Sequence, residues 1–157
     1  MSNNNNIRLI TGTQDSVPAA SSGSGTITSV NNSQIEGVGT AFLTEAQIGD
    51  FVYVKAQNAF RRINNIPSDT RLYIDSPFTV PLTGASYDIT PQSKFVAISW
   101  LVSGASAAII DGVSVPAGTD NEFTKASKGS SAGAGDKYID PIDINATGTE
   151  VTITTLA

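Results

Sequence analysis

The run Phe51-Val52-Tyr53-Val54-Lys55 carries the clearest structural signal in this sequence. Its β-branched and aromatic side chains are typical of a strand on a pleated, half-buried surface. Gly49-Asp50 provides a turn before it, and Gln57-Asn58 turns the chain into a second apolar run over 60–66. The stretch therefore predicts two adjacent strands joined by a short turn.

Short strands are also predicted on both sides of this pair. Residues 25–30 are a Thr-rich run with Ile27 and Val30, and residues 34–39 return as a second strand after a polar turn, which indicates a hairpin. Thr40 is expected to cap a single helical turn over 41–47. Further strands are expected at 71–75 and 86–90. Five or six short strands in about 65 residues predict a small β-barrel-like module, because closure removes exposed strand edges.

The chain as a whole is predicted to be all-β. An extended N-terminal arm covers residues 1–24, the barrel-like module covers 25–90, and a second small antiparallel, sandwich-like module covers 91–157. The boundary between modules is expected at Pro91-Gln92-Ser93. The core of the barrel-like module is predicted to contain Phe42, Phe51, Tyr53, Ile63, Leu72 and Ile74.

The second module shows its own turn and strand signals. Ser103-Gly104 and Asp111-Gly112 are hairpin-turn sequences between apolar runs. Near the end of the sequence, Val151 and Ile153 alternate with Thr and Glu, which places them on one strand face. The small, Gly-rich segment over 128–135 is expected to be a loop, since no Gly-Lys-Ser/Thr and no following helix make it a phosphate loop.

Three apolar residues stand out in the polar N-terminal segment: Ile7, Leu9 and Ile10. Ile7-Arg8-Leu9 alternates as a short strand does. We expect these residues to order on a neighbouring protein surface and to form an interface, with a loose terminus as the alternative.

Composition excludes several classes of function. The sequence contains no Cys and no His, which removes thiolate ligands, the usual general base and the commonest metal ligand. The net charge of −5 argues against nucleic acid as a partner, since phosphate binding needs clustered Lys and Arg. Arg61-Arg62, the one adjacent basic pair, is expected on a solvated strand. No signal peptide or membrane span is recognised, so synthesis in the cytoplasm and no membrane partner are expected.

The remaining polar candidates favour structural explanations. Asp140 and Asp143 fall on opposite faces of a strand, so we expect solvated or turn-capping carboxylates rather than an acting pair. Trp100 is expected in the core, with a sugar-binding platform or an interface anchor as the alternatives. No catalytic residue, no cofactor and no metal site is predicted.

One stretch resembles a small β module of tailed-bacteriophage virion proteins. The resemblance is carried by Gly37-Val38-Gly39-Thr40-Ala41-Phe42, then Ile48-Gly49-Asp50-Phe51-Val52, then the strand and Ser68-Asp69-Thr70 turn within 61–75. It covers about residues 25–90, under half of the chain. In such a module Phe42 plugs the barrel end.

The resemblance implies a non-enzymatic structural part of a virion. We expect capsid decoration or stabilisation, or a head or tail adaptor, acting in viral assembly through contacts with the major capsid protein or head and tail components. A homo-oligomer, such as a trimer, is also expected. A carbohydrate- or receptor-binding module of a phage fibre is the alternative, and an enzyme using carboxylates alone is a third hypothesis.

Overall fold

A computed structural model describes residues 6–30, 32–92, 95–124 and 139–156. The protein is nearly all β, with one curled half-barrel sheet and a second antiparallel sheet, which confirms the predicted fold class. The chain divides into two compact units. We call Pro18–Gln92 the continuous unit, and Met1–Val17 with Ser93–Ala157 the split unit.

Strands are numbered in chain order through the described residues, and the short helical segments are α1 (Phe42–Glu45) and the 3₁₀ turn Lys55–Gln57. The strands are β1 (Asn6–Val17), β2 (Ser21–Ser22), β3 (Thr26–Ser29), β4 (Gln34–Val38), β5 (Phe51–Val54), β6 (Ala59–Ser68), β7 (Arg71–Ile74), β8 (Leu82–Ala85), β9 (Asp88–Thr90), β10 (Ala97–Val102), β11 (Ala108–Ile110), β12 (Val113–Val115), β13 (Asp120–Thr124) and β14 (Ile142–Leu156).

The continuous unit is a sheet with the strand order β2-β9-β5-β6-β7-β4-β3-β8. Its inward side chains include Ile27 from β3, Ile63 from β6 and Ile89 from β9, and all of them belong to one buried cluster. Strands so far apart in the sheet share a core only when the sheet curls around it, as the half-barrel does. The unit is built of the hairpins that the sequence predicts, including β3–β4 and β5–β6.

Phe42 belongs to the buried core of the half-barrel, and its fully buried side chain lies edge-on to the Tyr87 ring with centroids 5.8 Å apart. The predicted cap of this helical turn differs in the structure. The Thr40 hydroxyl donates instead to the Asp69 carbonyl at 2.6 Å. The Asp69 carboxylate accepts the Leu43 backbone N–H at 3.0 Å, so a residue distant in sequence caps α1.

The six predicted core residues of this unit are all buried, at 3% exposure or less. They belong to two groups, however. Phe51 and Tyr53 alternate with the inward-facing Val52 and Val54 along β5, and both pack on the Phe60 ring. Tyr53 stacks on Phe60 with centroids 4.4 Å apart. Strand β5 therefore has apolar side chains on both faces.

The split unit is organised around β14. Within the described residues its strand order is β12-β11-β14-β10-β13, and β1 also pairs with β14. β10 pairs with the second half of β14 and β11 with the first half. Buried side chains from both halves form one core, among them Trp100, Ile110, Ile144 and Ile153.

β1 differs from the predicted extended arm over 1–24. It is a strand of the split unit and pairs with β14 from Asn6↔Thr155 to Val17↔Ile142. The register shifts at Gly12, where the strand bends. Arg8 forms an ion pair with Asp15, although seven residues of straight strand would span roughly 23 Å. The physical reason for the difference is that β14 supplies a partner edge that local sequence does not reveal.

The Asp111-Gly112 turn forms as the sequence predicts. Both residues have positive φ, 52° and 82°, and Ile110 pairs with Val113 across them. Two positive φ angles define the hairpin turn that matches strand twist. The Gly-rich segment over 128–135 lies outside the described residues.

Candidate interaction surface

One face of the split-unit sheet carries the predicted interface position Leu9. Register places Leu9 opposite Thr152 in β14, Thr152 opposite Leu101 in β10, and Leu101 opposite Asp120 in β13. Residues directly opposite each other point to the same side of a sheet. These four side chains therefore form one row across four strands.

A second row runs beside the first. Ile7 is opposite Thr154, Thr154 is opposite Ser99, and Ser99 is opposite Glu122. We call the two rows together the Leu9 face. Beside the second row, Ala97 in β10 is opposite Leu156 in β14.

Exposure separates the Leu9 face from the core face of the same strands. Leu9 is 56% exposed and Leu101 is 42% exposed, whereas Trp100 between Leu101 and Ser99 is buried. Thr152 and Thr154 are half-buried on this face. Exposed leucines flanking threonines make a surface that is apolar and hydrogen-bonding at once, with no basic residue in either row.

Two depressions follow the strands of this sheet. One, of about 250 Å³, is lined by Ser99, Leu101, Asp120 and both β14 threonines of the Leu9 face. The other, of about 550 Å³, is lined by Thr11, Ser103, Glu150 and the neighbouring β14 residues Gly148 and Thr149. The sheet is therefore not flat at its exposed face, and it offers concave surface with hydroxyl and carboxylate groups.

The three predicted interface residues have different positions. Leu9 is on the exposed face, as an interface residue must be. Ile7 occupies the register position opposite Thr154, and its side chain lies outside the described part of the structure. Ile10 is 4% exposed and belongs to the core of the split unit, which differs from the prediction. Strand alternation explains this, since adjacent residues point to opposite faces.

Sequence reasoning missed Leu101, because it lies between the two core residues Trp100 and Val102. Its signal was available, since Ile98, Trp100 and Val102 follow a period of two that leaves Ser99 and Leu101 on the other face. What the sequence did not contain was the pairing that places Leu101 in one row with Leu9.

The other candidates from the sequence are structural. Trp100 is 7% exposed and lies in the core cluster, as expected. Asp143 was expected to be a solvated or a turn-capping carboxylate. It is 1% exposed and accepts a hydrogen bond from Gln14 Nε2 at 2.6 Å, so the solvated alternative is wrong. Arg61 lies over the Phe78 ring, 5.0 Å from its centroid, and donates to the Pro77 carbonyl.

In the part of the chain that is described, no group of three or more His, Cys, Asp and Glu residues could hold a metal ion. No helix in that part is long and apolar enough to cross a membrane. Comparisons of the chain with protein-family models, with curated proteins and with solved structures give no significant match.

Proposed function

We propose that this protein is a non-enzymatic structural protein of a bacteriophage virion, which decorates or stabilises the capsid or acts as a head or tail adaptor. The Leu9 face is its contact surface. The observation that carries the proposal is the row Leu9–Thr152–Leu101, in which two exposed leucines flank a threonine on an ordered sheet. The resemblance of residues 25–90 to a virion β module supports the class of particle.

The chemistry of the face suits a protein partner. Leucine side chains gain free energy when a partner removes them from water, at about 25 cal/mol per Å² of apolar area. Thr152, Thr154 and Ser99 supply hydroxyl groups that can donate and accept, so a polar partner group need not be left unsatisfied. A strand face is rigid, so little conformational entropy is lost when it docks.

The partners we propose are other virion proteins, with further copies of this chain among them. The acidic Asp120 at the end of the first row favours a basic rim on the partner. In this proposal the protein is made in the host cytoplasm and is localised in the virion.

A carbohydrate- or receptor-binding role is the second candidate. The observation in its favour is the 250 Å³ depression, where serine and threonine hydroxyls meet the Asp120 carboxylate. Such groups also bond sugar hydroxyls. This role predicts binding to a glycan array, whereas the virion role predicts binding to particles assembled without the protein.

The test is a double variant, Leu9→Asn with Leu101→Asn, assayed for binding to purified particles that lack the protein. We expect affinity to fall at least about tenfold, which corresponds to 1.4 kcal/mol. Val113→Asn is the matched control, because Val113 is 64% exposed in the same unit but is in neither row. Wild-type affinity of the double variant would exclude the Leu9 face as the contact surface, and glycan binding without particle binding would favour the second candidate.

A further inference from the structure

The continuous unit contains a cavity at the end of β5. Its volume is about 420 Å³, within the range of small-molecule sites. Val54, Leu82 and Tyr87, all members of the buried core cluster, form its walls together with Ala85. The cavity therefore opens directly onto the apolar core of the half-barrel.

Two opposite charges border this cavity. Lys55 Nζ lies 3.0 Å from Asp88 Oδ2, and the side chains are 45% and 13% exposed. Lys55 lines the cavity from the 3₁₀ segment that follows β5, and Asp88 lines it from β9, where it is opposite Tyr53 of β5. An ammonium and a carboxylate are thus fixed side by side at the edge of an apolar space.

A second contact joins the 3₁₀ segment after β5 to the chain that leads into β8. Gln57 Nε2 donates to the Val80 carbonyl at 2.9 Å, and the Val80 N–H donates to Gln57 Oε1 at 3.4 Å. This amide bridges the 3₁₀ segment to the residues that precede β8. The cavity therefore exists before a ligand arrives, which lowers the cost of binding.

We propose that this cavity binds an apolar α-amino acid, either as the free molecule or as the C-terminal residue of a polypeptide. The α-carboxylate pairs with Lys55, the α-nitrogen donates to Asp88, and the side chain fills the apolar space. One ligand of this class exchanges the Lys55–Asp88 pair for two pairs of its own. A ligand that lacks either the carboxylate or the neighbouring N–H donor satisfies only one of the two side chains and leaves the other without its partner.

The site is in the continuous unit, and the Leu9 face is in the split unit, so the two proposals stand or fall separately. Loss of particle binding in the leucine double variant has no bearing on amino-acid binding. Conversely, a protein that binds no amino acid can still decorate a capsid.

The first experiment titrates the full chain with defined probes by isothermal titration calorimetry. We expect L-phenylalanine to bind at least about tenfold more tightly than L-alanine, which lacks the apolar side chain, and than L-phenylalaninamide, which lacks the carboxylate. N-acetylphenylalanine distinguishes the two sources. Tighter binding than phenylalanine indicates a polypeptide C-terminus, and weaker binding indicates the free amino acid. Equal affinity for phenylalaninamide and phenylalanine, or no binding of any probe, overturns the proposal.

The second experiment uses variants of the same chain. Lys55→Gln and Asp88→Asn should each weaken phenylalanine binding at least about tenfold. Glu36→Gln is the matched control, because it removes the exposed Arg71–Glu36 ion pair of the same unit without touching the cavity, and it should leave the affinity unchanged. Ala85→Leu fills the cavity and keeps both charges. It should abolish binding with the circular dichroism spectrum unchanged, and undiminished binding by this variant would overturn the proposal.

Discussion

The hairpins of the continuous unit and the β1–β14 pair of the split unit differ in how far apart in the sequence their paired strands lie. In the continuous unit Thr26 pairs with Val38 and Phe51 with Arg62, so its hairpins close over short stretches of chain. In the split unit Asn6 pairs with Thr155 and Ile10 with Val151, across nearly the whole sequence. Local pairing leaves a signature in short stretches of sequence, and distant pairing does not. The comparison explains why an edge strand was interpreted as an arm.

Distant pairing also has a physical consequence. Bringing the two ends of a long chain together costs loop-closure entropy before any contact compensates for it. The continuous unit, folded between them, shortens the effective loop that β1 and β14 must close. We therefore expect the continuous unit to fold first and the split unit to form its sheet afterwards.

Deleting residues 1–17 should have the largest effect, and it tests the long-range pairing of β1 with β14. The deletion removes β1, takes Ile10 and Val17 out of the core and leaves one edge of β14 without its partner. We expect the split unit to lose its protection against hydrogen exchange, while amides of the continuous unit keep theirs. Mass spectrometry of exchanged peptides measures the two units separately. A truncated protein with β14 still protected would restore the interpretation of this segment as an arm.

A single substitution in β1 tests which face of this strand packs into the core. Ile10→Ala should lower the free energy of unfolding of the split unit by about 2–5 kcal/mol, because the side chain is fully buried. Leu9→Ala is the matched control on the next residue. Leu9 is 56% exposed, so this change should stay within about 0.5 kcal/mol. Equal effects of the two substitutions would contradict the assignment of faces on β1.

In the continuous unit the corresponding test is Phe42→Ala. Phe42 is completely buried in the core of the half-barrel, and its loss should lower the free energy of unfolding by about 3–5 kcal/mol. Leu43→Ala is the control, since Leu43 is 57% exposed on the same helical turn and should cost within about 0.5 kcal/mol. Chemical denaturation followed by fluorescence measures both. An unchanged denaturation midpoint for Phe42→Ala would contradict the burial of this side chain in the core.

Much of the continuous unit was predictable because turn chemistry and alternation are local. Asn31-Asn32-Ser33 and Gly49-Asp50 mark turns, and the β5 run marks its strand by side-chain type alone. Asp69 capping α1 was not predictable, since that contact joins residues that only the tertiary fold brings together. The sequence therefore predicted Thr40 as the cap, because Thr40 is close to α1 in the sequence.

The candidate surface was predictable only in part, for the same reason. Alternation separates Leu9 from Ile10, but an isolated terminal segment gives no indication of which side meets a core. The Lys55–Asp88 cavity was not predictable at all, because β5 and β9 become neighbours through pairing between residues distant in the sequence, such as Tyr53 and Asp88. Sequence alone identifies strands well, and it identifies the surfaces that several strands build together poorly.

The smallest expected effect concerns pH and the closure of the half-barrel. The Tyr87 hydroxyl donates to the Ser24 carbonyl at 2.9 Å and to Glu45 Oε2 at 3.1 Å. Burial, and then the Glu45 charge, raise the pKa of Tyr87 well above its ordinary value of 10.0. A hydrogen bond from the Ser24 side chain lowers the pKa of Glu45 below its ordinary value of 4.5. The two shifts act at opposite ends of the pH scale.

The signs follow from linkage. The raised pKa of Tyr87 means that the folded protein holds this proton more tightly than the unfolded chain, so its stabilisation is complete below pH 10.0 and is lost as pH rises above that value. The lowered pKa of Glu45 gives stabilisation above pH 4.5 that is lost as pH falls, and it stays below about 1 kcal/mol because the carboxylate is partly exposed. Tyr87→Phe should therefore flatten the alkaline fall in the free energy of unfolding of the continuous unit and leave the acid limb in place. Glu45→Gln should weaken both limbs, because it removes the charge that also acts on Tyr87. Urea denaturation at a series of pH values measures this, and an alkaline limb unchanged in Tyr87→Phe would contradict the contribution of the Tyr87 hydroxyl to the alkaline loss of stability.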